Sequence, residues 1–431
     1  MSSPGENQAV RVLLVDDDPV VLKVYERELS NRGFKIERAM DGIEAMRALR
    51  ANKPDLMVLD IMMPKMSGAD VLKFMQTQRD LAPVPVIVLS NAYMDDLSRD
   101  AASAGAQKAL LKSSCTPAKL AAEIQEVLRG RRVRKESQAR REIKQGNIIL
   151  PPAPPTTGPA PSKGSAVPTD SGAKADLAKA EAPSQEIWNS NIRKEFLQHG
   201  QSTCAELRSL FQALTKAQND AERNLRLQNF YQKVHFVTAA AGMAECFQIA
   251  RMAEAVEAFI FEIRGKRSHL NPSSLHTLAL TVDFLGLLFG YAQKSTVAPP
   301  WSPRAVVIDD DPLLNRLVVS ALNSAQISGT AFEKPLPALD WLRENDCDLV
   351  LLDIEMPVMN GFEVCKLVRT LPRHHETPVV YVTQHDDFEH RAKSALSGGD
   401  DLIGKPILPL ELAVKAVMHV LDRQLSSLDP A

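Results

Sequence analysis

Two stretches decide the fold: VLLVDDDP at residues 12–19 and VVIDDDP at residues 306–312. Each is a short apolar run that ends in three adjacent aspartates. Like charges at the end of a buried strand repel one another and resist desolvation. A hard divalent cation held by oxygen ligands offsets that cost, so each triplet is read as a candidate Mg²⁺ site.

Working outward from the first triplet, VRVLLV (10–15), DLMVLD (55–60), VPVIVLS (84–90) and KALLK (108–112) are almost wholly apolar, as strands covered on both faces are. Helical patterns lie between them. PVVLKVYERELSNRG (19–33) opens with Pro at a first-turn position and stops at Gly33, and 42–54 and 68–78 follow. Strand–helix alternation predicts a doubly wound parallel sheet. The pattern returns after residue 303 with AVVI (305–308), CDLVLLD (347–353), TPVVYVT (377–383) and DDLIGKP (400–406).

The two copies share their chemistry at identical spacing. Asp16, Asp60, Ser90 and Lys112 are separated by 44, 30 and 22 residues, and so are Asp309, Asp353, Thr383 and Lys405. Parallel sheets gather the carboxyl ends of their strands at one edge, where ligands bind. Carboxylates, a hydroxyl and an ammonium would meet there. A carboxylate can attack a phosphoryl donor, an ammonium can pair with the new phosphate, and a hydroxyl can hydrogen-bond to it. Ordinary solvated strand-end acids are the plainer alternative, but they leave the matched hydroxyl and lysine unexplained.

Both copies resemble the receiver domain of two-component response regulators. The resemblance covers 9–130 and 303–425 and rests on VVIDDDP, LLDIEMPVMNG, Thr383 and Lys405-Pro406 in the second copy and their counterparts in the first. It implies a flavodoxin-like fold. It also implies Mg²⁺ bound by Asp16, Asp17, Asp60 and the Met62 carbonyl, and by Asp309, Asp310, Asp353 and the Glu355 carbonyl. Asp60 and Asp353 become the phosphoacceptors, with Ser90, Lys112, Thr383 and Lys405 sensing the phosphate. Three departures stand out: Ser113 where the family has proline, Asn91 and Gln384 where it has a small residue, and Ala109 and Leu402 where it has an aromatic switch.

From 187 to 298 the pattern is wholly helical and predicts a bundle of about four helices. VHFVTAAAGMAECFQIARMAEAVE (234–257) resembles the histidine phosphotransfer domain, with His235 as its phosphoacceptor. Thr238 stands where that family has lysine and Ala239 where it has glycine. His235 is one residue from the stripe Phe230, Val234, Val237 and Ala241, so it is expected at the bundle margin with one nitrogen in water. Ala239 would leave room for an incoming receiver. A packing histidine at the surface is the bland alternative.

The remaining features bound the function. The chain has 431 residues, 51 Lys+Arg against 53 Asp+Glu and a net charge of −2, which gives no pull toward nucleic acid or membrane. Five cysteines without a CxxC pair, and a start MSSPGENQAV unlike a signal peptide, predict a cytoplasmic protein. The apolar stretch 282–292 is too short to span a bilayer. Residues 131–186, basic and then Pro/Ala/Ser-rich, predict a linker. The basic run 129–144 reads as a solvated helix extension, GGDD (398–401) falls at a strand, and His374-His375 lacks companion ligands. No P-loop or ATP lid is found, so the chain is expected not to be an enzyme that makes phosphohistidine from ATP.

The expectation is an α/β and all-α multidomain protein, receiver–bundle–receiver. A separate histidine kinase would load it, and His235 would relay phosphoryl groups between aspartates. A scaffold or phosphate sink with an inert bundle is the alternative. An aspartate-nucleophile phosphatase is weaker, because the acid/base position holds Met62 in one copy and Glu355 in the other.

Overall fold

A computed structural model describes residues 9–61, 63, 66–91, 105–144, 185–266, 269–295, 300–384 and 397–428. The Met62 position and most of the expected linker lie outside them.

The first unit has strands β1 (Arg11–Val15), β2 (Lys35–Ala39), β3 (Leu56–Asp60), β4 (Val86–Ser90) and β5 (Lys108–Leu111), in sheet order β2-β1-β3-β4-β5. All pairs are parallel. Helices α1 (Pro19–Asn31), α2 (Gly42–Ala51), α3 (Gly68–Thr77) and α4 (Pro117–Lys144) flank it. Helix α1 forms where the sequence asks it to: Asp18 caps it by accepting from the Val20 and Val21 N–H groups, and Pro19 opens it. Gly33, at φ +86°, turns the chain into β2.

Among the described residues the bundle has five helices, where the sequence pattern predicts about four: α5 (Gln185–Gln198), α6 (Gly200–Thr215), α7 (Asp220–Met243), α8 (Phe247–Gly265) and α9 (Pro272–Lys294). Helix α9 is long and apolar enough to cross a bilayer by length and composition, unlike the shorter stretch 282–292. Its Leu278, Val282, Leu285 and Leu288 are buried in the bundle.

The second unit repeats the first: β6 (Arg304–Ile308), α10 (Pro312–Ser324), β7 (Ser328–Phe332), α11 (Pro335–Glu344), β8 (Leu349–Asp353), α12 (Gly361–Thr370), β9 (Val379–Thr383), β10 (Asp401–Gly404) and α13 (Pro409–Leu428), with sheet order β10-β9-β8-β6-β7. The likeness reaches single atoms. The Arg11 N–H donates to Asp55 at 2.9 Å and the Arg304 N–H to Asp348 at 2.8 Å. Gly68 and Gly361 press on the carbonyls of Asp60 and Asp353, leaving no space for a Cβ. Each sits at the start of a helix closed by a capping box.

The bundle holds the two α/β units differently. Toward the first, Ala239 and Met243 of α7 join the apolar layer built from Leu14, Val58, Leu89 and Ile124. Toward the second, α13 lies on α8 and α9. There Glu411 accepts from the Ser273 hydroxyl at 2.7 Å and the Thr277 hydroxyl at 2.8 Å.

Candidate functional site

Strand ends deliver both acidic clusters. Asp16 follows β1, Asp60 closes β3, Ser90 closes β4 and Lys112 follows β5, so adjacent parallel strands place all four at one edge. Asp309, Asp353, Thr383 and Lys405 are placed likewise by β6, β8, β9 and β10. Asp16 Oδ1 accepts from the Asp18 N–H at 2.9 Å, and Asp309 Oδ1 from the Asp311 N–H at 2.8 Å, which fixes each carboxylate.

The lysines bridge the acids. Lys112 Nζ is 2.8 Å from Asp16 and 3.1 Å from Asp60, and Lys405 Nζ is 3.0 Å from Asp309 and 3.1 Å from Asp353. Ser90 and Thr383 are buried beside them, with Ser90 Oγ 3.5 Å from the Leu110 carbonyl. Asp310 and Glu355 are exposed, and the Glu355 N–H lies 3.4 Å from Asp353 Oδ1. The loop after Lys112 is a 3₁₀ turn, Lys112–Ser114, whereas the Lys405–Pro406 peptide is cis.

Asp16, Asp17 and Asp60 can bring oxygens within 4.8 Å of one another, and Asp309, Asp310 and Asp353 can do the same. Asp17 Oδ1 is buried without a hydrogen bond. Hard oxygen donors with unspent acceptor capacity fit Mg²⁺.

His235 enters the first cluster, contrary to the expectation of a nitrogen in water. Its side chain is 3% exposed. Nε2 is 2.8 Å from Lys112 Nζ, 3.4 Å from Asp17, 3.7 Å from Asp60 Oδ2 and 4.0 Å from Asp16. The reason is geometric. The helix face next to the bundle's own stripe is covered by the first α/β unit, so leaving that stripe does not mean reaching solvent. Nδ1 is 2.8 Å from Glu257 Oε1, and Tyr231 stacks on the ring at 5.9 Å. A carboxylate acceptor at Nδ1 keeps a proton there and turns the Nε2 lone pair toward Lys112.

Electrostatics in this sealed site is strong. Burial pushes Asp60 up to about 6, with Asp16 adding to the rise and Lys112 and His235 opposing it. Burial also opposes charge on Asp16, yet Lys112 and His235 overcome it and hold Asp16 at about 2. Burial and Lys112 disfavour a proton on His235, but Glu257, Asp16 and Asp17 outweigh them and raise its affinity for protons. Two protonated cations do not pack at 2.8 Å, so Nε2 stays an acceptor only while Lys112 remains in place. In the second site burial and then Asp309 raise Asp353, against Lys405.

Sequence reasoning missed Glu257 and the role of Asn91. Glu257 is a buried acid inside the apolar run AEAVEAF, and an unexplained carboxylate there was the available signal. Asn91 Nδ2 donates to the Glu254 carbonyl of α8 at 3.0 Å, so it grips the bundle. Thr238 supplies no cation; its hydroxyl donates back to the Val234 carbonyl at 3.1 Å. His374 is buried and bonded to backbone carbonyls of Leu342 and Asn345, a structural role.

Comparison with known proteins covers the two α/β units. The response regulator receiver domain family matches residues 12–125 and 305–417, more than half of the chain. The response regulator MprA of Mycobacterium sp. (strain KMS) is 37% identical over 86 residues, which is 20% of this chain and 37% of that protein. The probable transcriptional regulatory protein TcrX of Mycobacterium tuberculosis is 38% identical over 94 residues, 22% of this chain and 40% of that protein. The chain thus spans about two fifths of the length of these relatives. Among solved structures, the BeF3-activated DrrB receiver domain is 27% identical, with a TM-score of 0.26, over 28% of this chain and 100% of that one. Chemotaxis protein CheY4 of Vibrio cholerae is 25% identical, with a TM-score of 0.27, over 28% of this chain and 99% of that one. With two matched segments, each bearing the acid–hydroxyl–lysine edge, the chain belongs to the response regulator receiver domain family.

Proposed function

We propose that the protein is a cytoplasmic phosphorelay component whose receivers take phosphoryl groups from a histidine kinase or a phosphohistidine, and whose bundle passes them on through His235. One observation carries the reading: His235 Nε2 lies 3.7 Å from Asp60 Oδ2 inside a shared buried pocket. In the transfer, an Asp60 oxygen bonds to phosphorus as the Nε2–P bond breaks, and the electron pair returns to Nε2. The reverse step loads His235. Lys112 pairs with the incoming phosphoryl charge, Glu257 holds the ring by Nδ1, and the seated helices exclude water that would hydrolyse the acyl phosphate. Mg²⁺, held by Asp16, Asp17 and Asp60 or by Asp309, Asp310 and Asp353, would neutralise phosphoryl oxygens.

The test is radiolabelled acetyl phosphate on the full chain, followed by separation of acid-labile, base-stable phosphohistidine from aspartyl phosphate. Phosphohistidine is expected, and is lost in His235→Gln and in Asp60→Asn. Labelled aspartates with no phosphohistidine in the wild type would leave the bundle an adaptor. That second reading, a phosphate sink, draws on Thr238, which supplies no ammonium beside His235.

A further inference from the structure

Two contacts between the bundle and the first receiver lie outside the phosphoryl chemistry, and both need a particular residue. Gly242 sits in the last turn of α7, where alanine is the better helix former. A Cβ at that position would lie 2.9 Å from the Lys112 carbonyl oxygen and 3.0 Å from that of Ser113. Real Cβ atoms essentially never come closer than 3.0 Å to another heavy atom, and a backbone carbonyl beside a catalytic lysine cannot swing away as a side chain can. Glycine here costs the helix and serves the neighbour. Across the pocket, Asn91 is buried and spends its amide on the Glu254 carbonyl at 3.0 Å. The equivalent residue of the second receiver, Gln384, is exposed.

The two receiver sites differ accordingly in access. In the first, Asp16, Asp60 and His235 are each 2% exposed. In the second, Asp309 and Asp353 are also buried, at 3% and 5%, but Asp310 at the rim is exposed and the Lys405 side chain is 15% exposed against 4% for Lys112. The second receiver meets the bundle through α13, with Glu411 on Ser273 and Thr277, and through Gln326, which accepts from Arg251, at residues other than the pocket acids.

We infer that Gly242 and Asn91 are partner-selecting residues: they reserve the His235 helix pair for the chain's own first receiver, and the seated receiver closes Asp60 and His235 to outside phosphodonors while Asp353 stays open. Exchange with other proteins then enters or leaves through Asp353, and Asp60 becomes available only when the first receiver lifts. The closure rests on the geometry; only its meaning as traffic control rests on the relay reading.

The experiment times acetyl phosphate labelling of the full chain with Mg²⁺, with each aspartyl phosphate read by borohydride trapping and mass spectrometry. Small-donor access scales with the fraction of molecules that are open. Asp353 is expected to label at least about tenfold faster than Asp60 if less than roughly a tenth of molecules are open. In Gly242→Ala the Asp60 rate should rise by about that factor while the Asp353 rate holds, and circular dichroism should show the helices intact. Asn91→Ala should move the Asp60 rate the same way, and it decides the matter if the glycine variant does not fold. Equal labelling of Asp60 and Asp353 in the wild type overturns the inference. So does an Asp60 rate unmoved in folded variants. Failure of the relay reading looks different: the two uptake rates differ as stated, yet no phosphohistidine forms.

Discussion

Glu257 offers the sharpest test of how the pocket works. Its Oε1 holds His235 Nδ1 at 2.8 Å, both residues are buried, and its Oε2 has no hydrogen bond. A hydrogen bond to a charged group contributes about 1.5–3 kcal/mol, which corresponds to about tenfold to a hundredfold in a rate that needs the ring held in place. Glu257→Gln keeps an acceptor oxygen but removes the charge, and it buries an NH₂ where Oε2 now lies without a donor. We expect transfer between His235 and Asp60 to fall about tenfold in this variant, and about a hundredfold in Glu257→Ala, in single-turnover quench experiments. Nitrogen NMR of the imidazole supplies a readout that packing damage alone does not move. The Nδ1–H tautomer should dominate in the wild type and lose its dominance in Glu257→Ala. The proton affinity of the ring should also drop in both variants, because Glu257 is the strongest of the carboxylates that raise it. Wild-type transfer and an unchanged tautomer in Glu257→Ala would refute the reasoning.

Three further outcomes follow from other contacts in the molecule. Gly68→Ala and Gly361→Ala each force a Cβ onto an aspartate carbonyl, so each should cost its own receiver about 3 kcal/mol in urea unfolding, by nearly equal amounts. Lys112→Met removes the cation shared by Asp16 and Asp60 in a buried site and should cost about 3–5 kcal/mol, whereas Lys405→Met, which removes a lysine that is itself more exposed, should cost less; Mg²⁺ should restore part of each loss in thermal melts, and EDTA should remove that gain. Burial opposes charge on Asp401, yet His419 and Lys415 overcome it and hold its carboxyl well below the usual range. A folded-state value below the unfolded one gives stability that is fully present above the unfolded value of about 4 and is lost only as pH falls through the folded value, so Asp401→Asn should lower Tm at pH 7, still lower it at about pH 3, and converge on the wild type only in stronger acid.

How far the sequence discloses this molecule depends on what each residue faces. Strands β1, β3, β4, β6, β8 and β9 are covered on both sides, and their continuous apolar runs name them. Strands β2 and β7 read KIERA and SGTAF, lie at sheet edges and are largely half-exposed or exposed, so no apolar period marks them; only the parallel register with β1 and β6 does. The pocket acids, hydroxyls and lysines were legible because a duplicated chain repeats their spacing. Glu257 was not, because its partner His235 is on the preceding helix and only the α7–α8 hairpin brings them together. The burial of His235 was missed for a related reason. A helical wheel reports the stripe that one bundle needs, and α7 carries a second stripe, Ala239 and Met243, for the receiver.

The duplicated pocket then poses its own question: why keep the same atoms twice and seal only one set? A phosphoryl group on Asp60 would replace one carboxylate charge by roughly two negative charges on three oxygens. The pocket already holds Asp16, Asp17 and Glu257 around Lys112, and His235 and Asp60 are each 2% exposed. Charge of that density is tolerated beside water and penalised away from it. Phosphorylation of Asp60 and seating of the first receiver therefore oppose one another unless the phosphoryl group is in passage to His235. Linkage makes the opposition mutual: the factor by which seating weakens retention of phosphate is the factor by which phosphate weakens seating. At Asp353, where Asp310 and Lys405 give the pocket a more exposed rim, a phosphoryl group would lie nearer water, and the proposed coupling would be weaker. On the proposed relay, the same edge of carboxylates would be a transient station in one copy and a store in the other, with the difference set by Gly242, Asn91 and the helices they admit and not by the acids themselves.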